Sequence, residues 1–472
     1  MRLLVENRFA LLFLVVVALA ALFGAARLSA AALPAPGEDA EEVLAPVEST
    51  TRVCPTPQGE DRRTLVAGYA PDQEGGTADG LLDVAPNLAD AEGDRPAPEA
   101  GQPWRHEPEE TDSGTVVRAE GAFAAGAEIS QTTAGDATVT EVRCAEPSSS
   151  TWFAAPGGTE LEDLRLHLAN IDETPATVNV DLYAPDGPAF SLETRGVTVE
   201  GRTEVELSVL PLVEHAEAVV VHVRTNAGRV AAALYAQRSA EGADWVPATA
   251  APATSHVVPG VPGGEGNRRL VVAAVSDEPT TAQVRLLTPD GEVTAETLAE
   301  VEVPPAASAR VSLEGPLESR DATLVVTADH PVVVGVSVRR SDDDTAHTAA
   351  TEPLTVGHGA RAVAPPGPED AENTLLLGAP EEAATVSLTP VAPDGDRGEP
   401  LSVTVEAGTT AVPELDPDDG TAAWVVEVTG GGPLYAARVL TVDDTISVLP
   451  LPPAPARVPL PRVVDSLTAV VP

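Results

Sequence analysis

The sequence predicts an all-β chain: tandem immunoglobulin-like β-sandwich modules that follow an N-terminal apolar helix. Three observations carry this. A Pro-Asp-Gly turn recurs, beginning at Pro185, Pro289 and Pro393, at a constant spacing of 104 residues. Valines alternate with polar residues on either side of each turn, the period-two signature of a half-buried strand. With 45 Pro and 38 Gly, long helices are disfavoured beyond the N-terminus.

The apolar segment comes first. Residues 9–26 read FALLFLVVVALAALFGAA, and Arg2 and Arg8 precede or open the run. A basic end followed by an apolar run is positive-inside grammar, so the remainder is expected outside the cytoplasm. Two readings compete: a signal peptide cleaved near Ala32, or an uncleaved transmembrane anchor over residues 1–33. The length of the run favours the anchor and a single-pass cell-membrane protein; cleavage would make the protein secreted. Residues 34–50, rich in Pro and acid, read as a stalk.

The repeats then divide the chain. The three matching stretches are 178–187 (VNVDLYAPDG), 282–291 (AQVRLLTPDG) and 386–395 (VSLTPVAPDG). In each, alternate apolar residues precede a turn whose glycine tolerates a left-handed backbone. A strongly apolar strand pair follows later in every copy, and an earlier pair spans 115–129. This predicts β modules at 151–255, 256–360 and 361–461, a divergent first module at 51–150 and a C-terminal tail at 462–472. Within the first module, 72–113 is rich in Asp, Glu, Gly and Pro and reads as a disordered acidic insert. The alternative architecture is a β-propeller in which each repeat supplies two blades.

Cys54 and Cys144 are the only cysteines. An even, sparse count in an exported chain reads as one disulfide, closing the first module and contributing ~4 kcal/mol by chain entropy. Were the modules independent, Cys54→Ser would destabilise the first alone.

Charge excludes one class of partner. The chain carries 73 Asp and Glu against 28 basic residues, a formal net charge of −45. Every basic residue is arginine. Such a chain is repelled by phosphate backbones, so nucleic-acid binding is not expected. The acidity reads first as solubility, second as a surface for cations.

No chemical signature stands out. There is no Gly-x-Ser-x-Gly elbow, no His-Glu-x-x-His and no Cys-x-x-Cys, so no catalytic, cofactor-binding or metal residue is assigned. None of the eight histidines forms a zinc-type spacing, and His222 and His330, in or beside strands, read as surface or edge residues. The first of three acidic runs, Asp394–Gly398, has the Asp-x-Asp-x-Gly start of some calcium loops; Asp416–Gly420 and Asp342–Asp344 are other carboxylate clusters. The first has Val405 where the distal bidentate carboxylate belongs. Trp152 and Trp245 fall near module joints, where packing between modules accounts for them.

The apolar N-terminus, TWFAAPGG at 151–158, VNVDLYAPDG at 178–187 and DWVPA at 244–248 together resemble an uncharacterised family of actinobacterial envelope proteins, the domain of unknown function 5719. The resemblance implies an envelope location and a β-repeat fold, and no activity. The functional expectation is therefore a non-catalytic, membrane-tethered binding or scaffold protein. Its partner would be an envelope membrane protein or cell-wall glycan. The alternatives are a carbohydrate-active hydrolase with a site between modules, and an adhesin.

Overall fold

A computed structural model describes residues 8–31 and 44–460, except 60–62, 73–78, 88–92, 94–95, 97, 110, 136–137, 240–241, 341–343, 358–359 and 416–419. It contains two compact units. One holds the helix Arg8–Ala31; the other runs from Pro46 to Arg457 and is all β apart from short helical turns. Side chains of the helix are described for 13–23, where Phe13, Leu14 and Phe23 are exposed. Among the described residues no helix is long and apolar enough to cross a membrane.

The β region repeats one seven-strand plan four times. The first strands are Ser49–Cys54, Ser150–Pro156, Ala253–Val261 and Arg361–Ala364. The seventh are Thr138–Arg143, Ala243–Val246, Thr345–Ala349 and Thr445–Leu451. These bound units I to IV. In every unit the first, fifth and third strands pair in that order in one sheet. The fourth, second, sixth and seventh pair in that order in the other. All pairings are antiparallel. The first six strands thus cross alternately between two sheets, and the seventh pairs beside the sixth. The unit is a two-sheet sandwich, with its core between the sheets.

Unit III departs in one respect. Its fifth and sixth strands are a single strand, Ala322–Arg340, which pairs with the first and third strands along its first half and with the second and seventh along the rest. The two sheets are joined there.

Period two explains the cores. Val178, Val180 and Leu182 are buried on the third strand of unit II, and Ala282, Val284 and Leu286 take the same places in unit III. The predicted turns follow: Gly187, Gly291 and Gly395 adopt φ of 110°, 122° and 89°, a region that disfavours side chains.

Unit I corrects the sequence reading. The stretch 72–113, read as a disordered insert, contains the third strand Gly80–Pro86 and the fourth strand Trp104–His106. Leu82 and Val84 are buried against Val117, and Trp104 against Ile129. Two alternating residues sufficed to place a strand that acidic flanks obscured. The disulfide joins Cys54 to Cys144 beside this core.

The four sandwiches close into a ring. Units I and II share Val142, Tyr235 and Trp245; II and III share Trp152, Val220 and Val333. Units III and IV share Ala346, Leu376 and Val448, and IV returns to I through Tyr69, Val363 and Val425. Every sandwich therefore covers apolar surface on two neighbours, so the modules are not beads on a string. The seam between III and IV is close enough that a Cβ on Gly378 would lie 2.4 Å from Thr323 Oγ1.

Candidate functional site: the ring axis

The seventh strands line the axis, each packed against two others. Several polar residues on or beside these strands meet across the units. Glu141 of unit I is ion-paired with Arg438 of unit IV, both fully buried. Asp244 of unit II accepts from Ser447 Oγ of unit IV (2.9 and 3.0 Å), from Trp245 N (2.8 Å) and from Glu141 N (3.3 Å). Asp344 of unit III accepts from Ile446 N at 2.8 Å. Burial, with the like charge of Asp344 adding to it, holds the Asp244 carboxyl well above the usual carboxylate range. His347, on the seventh strand of unit III, is buried and pushed down to about 3 by desolvation and then by Arg238.

Above this polar layer, where the seventh strands end, lies a funnel of about 490 Å³. Its walls are the segments that leave each unit: Ala145 and Glu146, Pro247 to Ala251, Ala350 to Glu352, and Pro452 to Pro455. The prolines among them, Pro247, Pro452, Pro453 and Pro455, lack an N–H and offer carbonyls and apolar rings. Glu141 and Trp245 are part of its lining. Arg52 and Arg143 are also in the lining. Arg143 is tied to Glu128 through Nε (2.5 Å) and Nη2 (2.8 Å). Arg52 is buried, ion-paired with Glu146 at the rim, and its Nε has no hydrogen-bond partner among the described residues. Desolvation, then Arg143, lowers its pKa.

The residues singled out from sequence fall elsewhere. Trp152 stacks on His222, with ring centroids 3.6 Å apart, and covers the seam with unit III; Trp245 covers the seam with unit I. Both tryptophans serve as joint packing, as expected. His222 also meets Ser150 Oγ at 3.0 Å and is lowered to about 4 by burial. No sequence signal singled out His167, His256 and His347, which are buried. Asp394 lies on an exposed hairpin and accepts from Asp396 N at 3.2 Å. Residues 342–343 and 416–419 lie outside the described residues, and among those described no group of three metal-ligating side chains occurs. The axial residues had one visible signal: Asp244 and Arg438 are charges inside largely apolar strands, whereas Glu141 sits in TVTEVR beside two threonines and Arg143.

A sequence profile described as a family of unknown function (DUF5719) matches residues 105–416. The match runs from the fourth strand of unit I to the segment after the fourth strand of unit IV. No curated protein matches. Among solved structures, trypsin-activated alpha-2-macroglobulin from Escherichia coli aligns with 83% of this chain and 30% of its own, at 12% identity and a TM-score of 0.11. The chain thus spans under a third of that protein's length, and a score so low carries no argument.

Proposed function

The chain belongs to the family of unknown function DUF5719, and from that membership and the axial funnel we propose that it is a non-catalytic binding or scaffold protein of the cell envelope. The observation that supports this most is the funnel, to which all four units contribute. A site assembled from four units requires the closed ring, and so gives the ring a use beyond stability. Its proline-bearing segments present apolar surface and carbonyl acceptors around an open space, a setting for an extended segment of a partner. The partner is an envelope membrane protein or wall glycan.

The apolar run behind Arg2 and Arg8 tethers the protein in the cell membrane with its β region outside the cytoplasm. A redox compartment that keeps Cys54 and Cys144 joined agrees with that location. The acidic surface serves solubility there.

The test is crosslinking of the tagged full-length protein in its native membrane, with partners identified by mass spectrometry. A specific envelope partner that is lost when Pro247 and Pro452 are replaced by bulky charged residues supports the reading. Recovery of the same partners from those variants, provided they melt like the parent, removes the funnel from it.

A further inference from the structure

Units I, II and III all reach the same two residues of unit IV. Ile446 N donates to Asp344 Oδ2 of unit III at 2.8 Å. Ser447 Oγ lies 2.9 Å from Asp244 Oδ2 of unit II and accepts the Glu141 N–H of unit I at 2.9 Å. Residues 446–447 are therefore a point at which the ring is fastened from three units.

The charges around that point are unequal. Glu141 has Arg438, which is also bound to Pro365 O and Asn373 Oδ1. His347 is neutral, and Arg238 faces Glu160. Asp244 accepts its hydrogen bonds from neutral donors, the Ser447 hydroxyl and the Trp245 and Glu141 amides. Among the charges near it, Asp344 is of like sign. Two neighbouring carboxylates in a dry interior do not both ionise readily. A proton on Asp244 is accommodated, since Ser447 Oγ can accept it as well as donate.

We propose that the ring is closed by a proton-dependent latch: Asp244, as a neutral carboxyl, keeps units I to III fastened to residues 446–447 of unit IV, and its ionisation loosens that fastening.

The sign follows from linkage. In an opened, solvated axis Asp244 titrates near 3.8, and in the closed axis it titrates higher. The closed state thus binds the extra proton. Its advantage is complete below 3.8 and declines up to tenfold per pH unit as pH rises, until the closed-state value is passed. Buried histidines act in the opposite sense below pH 6.5, so the latch is read as a difference between variants.

The experiment is hydrogen exchange of the full-length chain, corrected for intrinsic rates, followed in peptides spanning 241–251 and 441–451 from pH 4 to 10. Wild type is compared with Asp244→Asn and Asp344→Asn. Opening in wild type should rise with pH relative to Asp244→Asn, which keeps the acceptor and cannot ionise. Asp344→Asn removes the like charge and should make the rise end at lower pH. Parallel profiles for wild type and Asp244→Asn would overturn the proposal. Should Asp244→Asn not fold, a wild-type profile that is flat from pH 4 to 10 overturns it equally.

Discussion

Removing the guanidinium of Arg438 should unfasten the ring in a measurable way. The Glu141–Arg438 pair has side-chain exposures of 0% and 1% and joins the first unit to the last. Arg438→Met leaves a carboxylate buried without its cation, which costs about 3–5 kcal/mol. A cooperative unit of roughly 410 residues unfolds with an entropy of about 0.9 kcal/mol/K, so the midpoint should fall by about 3–6 °C. The pair itself is incompletely satisfied: Glu141 Oε2 and Arg438 Nε find no hydrogen-bond partner among the described residues. Replacing both partners, as Glu141→Leu with Arg438→Met, should therefore restore the midpoint or exceed it, by about 1–4 kcal/mol relative to the single variant's parent. The assay is differential scanning calorimetry of the full chain. A single transition shifted in Arg438→Met and recovered in the double variant is the expected result. An unshifted midpoint, or a double variant no better than the single, would refute the reasoning. Two transitions of which one moves would show that the units melt independently.

Two further outcomes follow from the same geometry. Cys54→Ser opens a loop with a sequence separation of 90 and should cost about 4 kcal/mol by chain entropy; because unit I packs on both II and IV, calorimetry should show the loss across one transition, with no folded remainder of three units. His347 and His167, buried and each lowered to about 3 by desolvation, contribute stability that is complete above pH 6.5 and lost as pH falls toward 3; His347→Leu should flatten the acid side of the melting profile, and an unchanged acid slope would exclude His347 as its source.

What the sequence disclosed was local. The Pro-Asp-Gly hairpins, the paired apolar strands and the disulfide each depend on residues within one unit, and period two with turn chemistry reports such features. The third strand of unit I was hidden because GLLDVAP is only seven residues long and sits among acidic runs that dominate composition. Ring closure was hidden for a different reason. Tyr69 and Val425, or Glu141 and Arg438, lie some three hundred residues apart, and no spacing rule links them. The seams also use small residues, such as Gly335 against Ala154, which in sequence look like weak strand positions. Charges within apolar strands were the one trace of the axis, and a sandwich with a solvated edge would carry them too.

The constant repeat length has a cause in the ring, and it makes one more prediction. A string of beads tolerates linkers of any length, whereas a closed ring fixes the path from each seventh strand to the next first strand. The II–III linker shows how firmly. Ala248 and Thr249 pair with Phe153 and Trp152, Thr249 Oγ1 donates to Val334 O at 2.7 Å, and Ala250 N donates to Ala350 O at 3.0 Å. Each net hydrogen bond contributes about 1 kcal/mol, more where a buried partner is left unsatisfied. By contrast, a Cβ on Gly187 or Gly291 would meet nothing within 4 Å. Four glycine-serine residues inserted between Asp186 and Gly187 should leave the melting midpoint within about 1 °C, because lengthening a surface loop costs only a few tenths of a kcal/mol. The same insertion between Pro247 and Ala248 displaces three ties at once, about 3 kcal/mol or more, and should lower the midpoint by several degrees. If both insertions proved equally harmless, the linkers would not hold the ring, and the constancy of the repeat would need a different explanation.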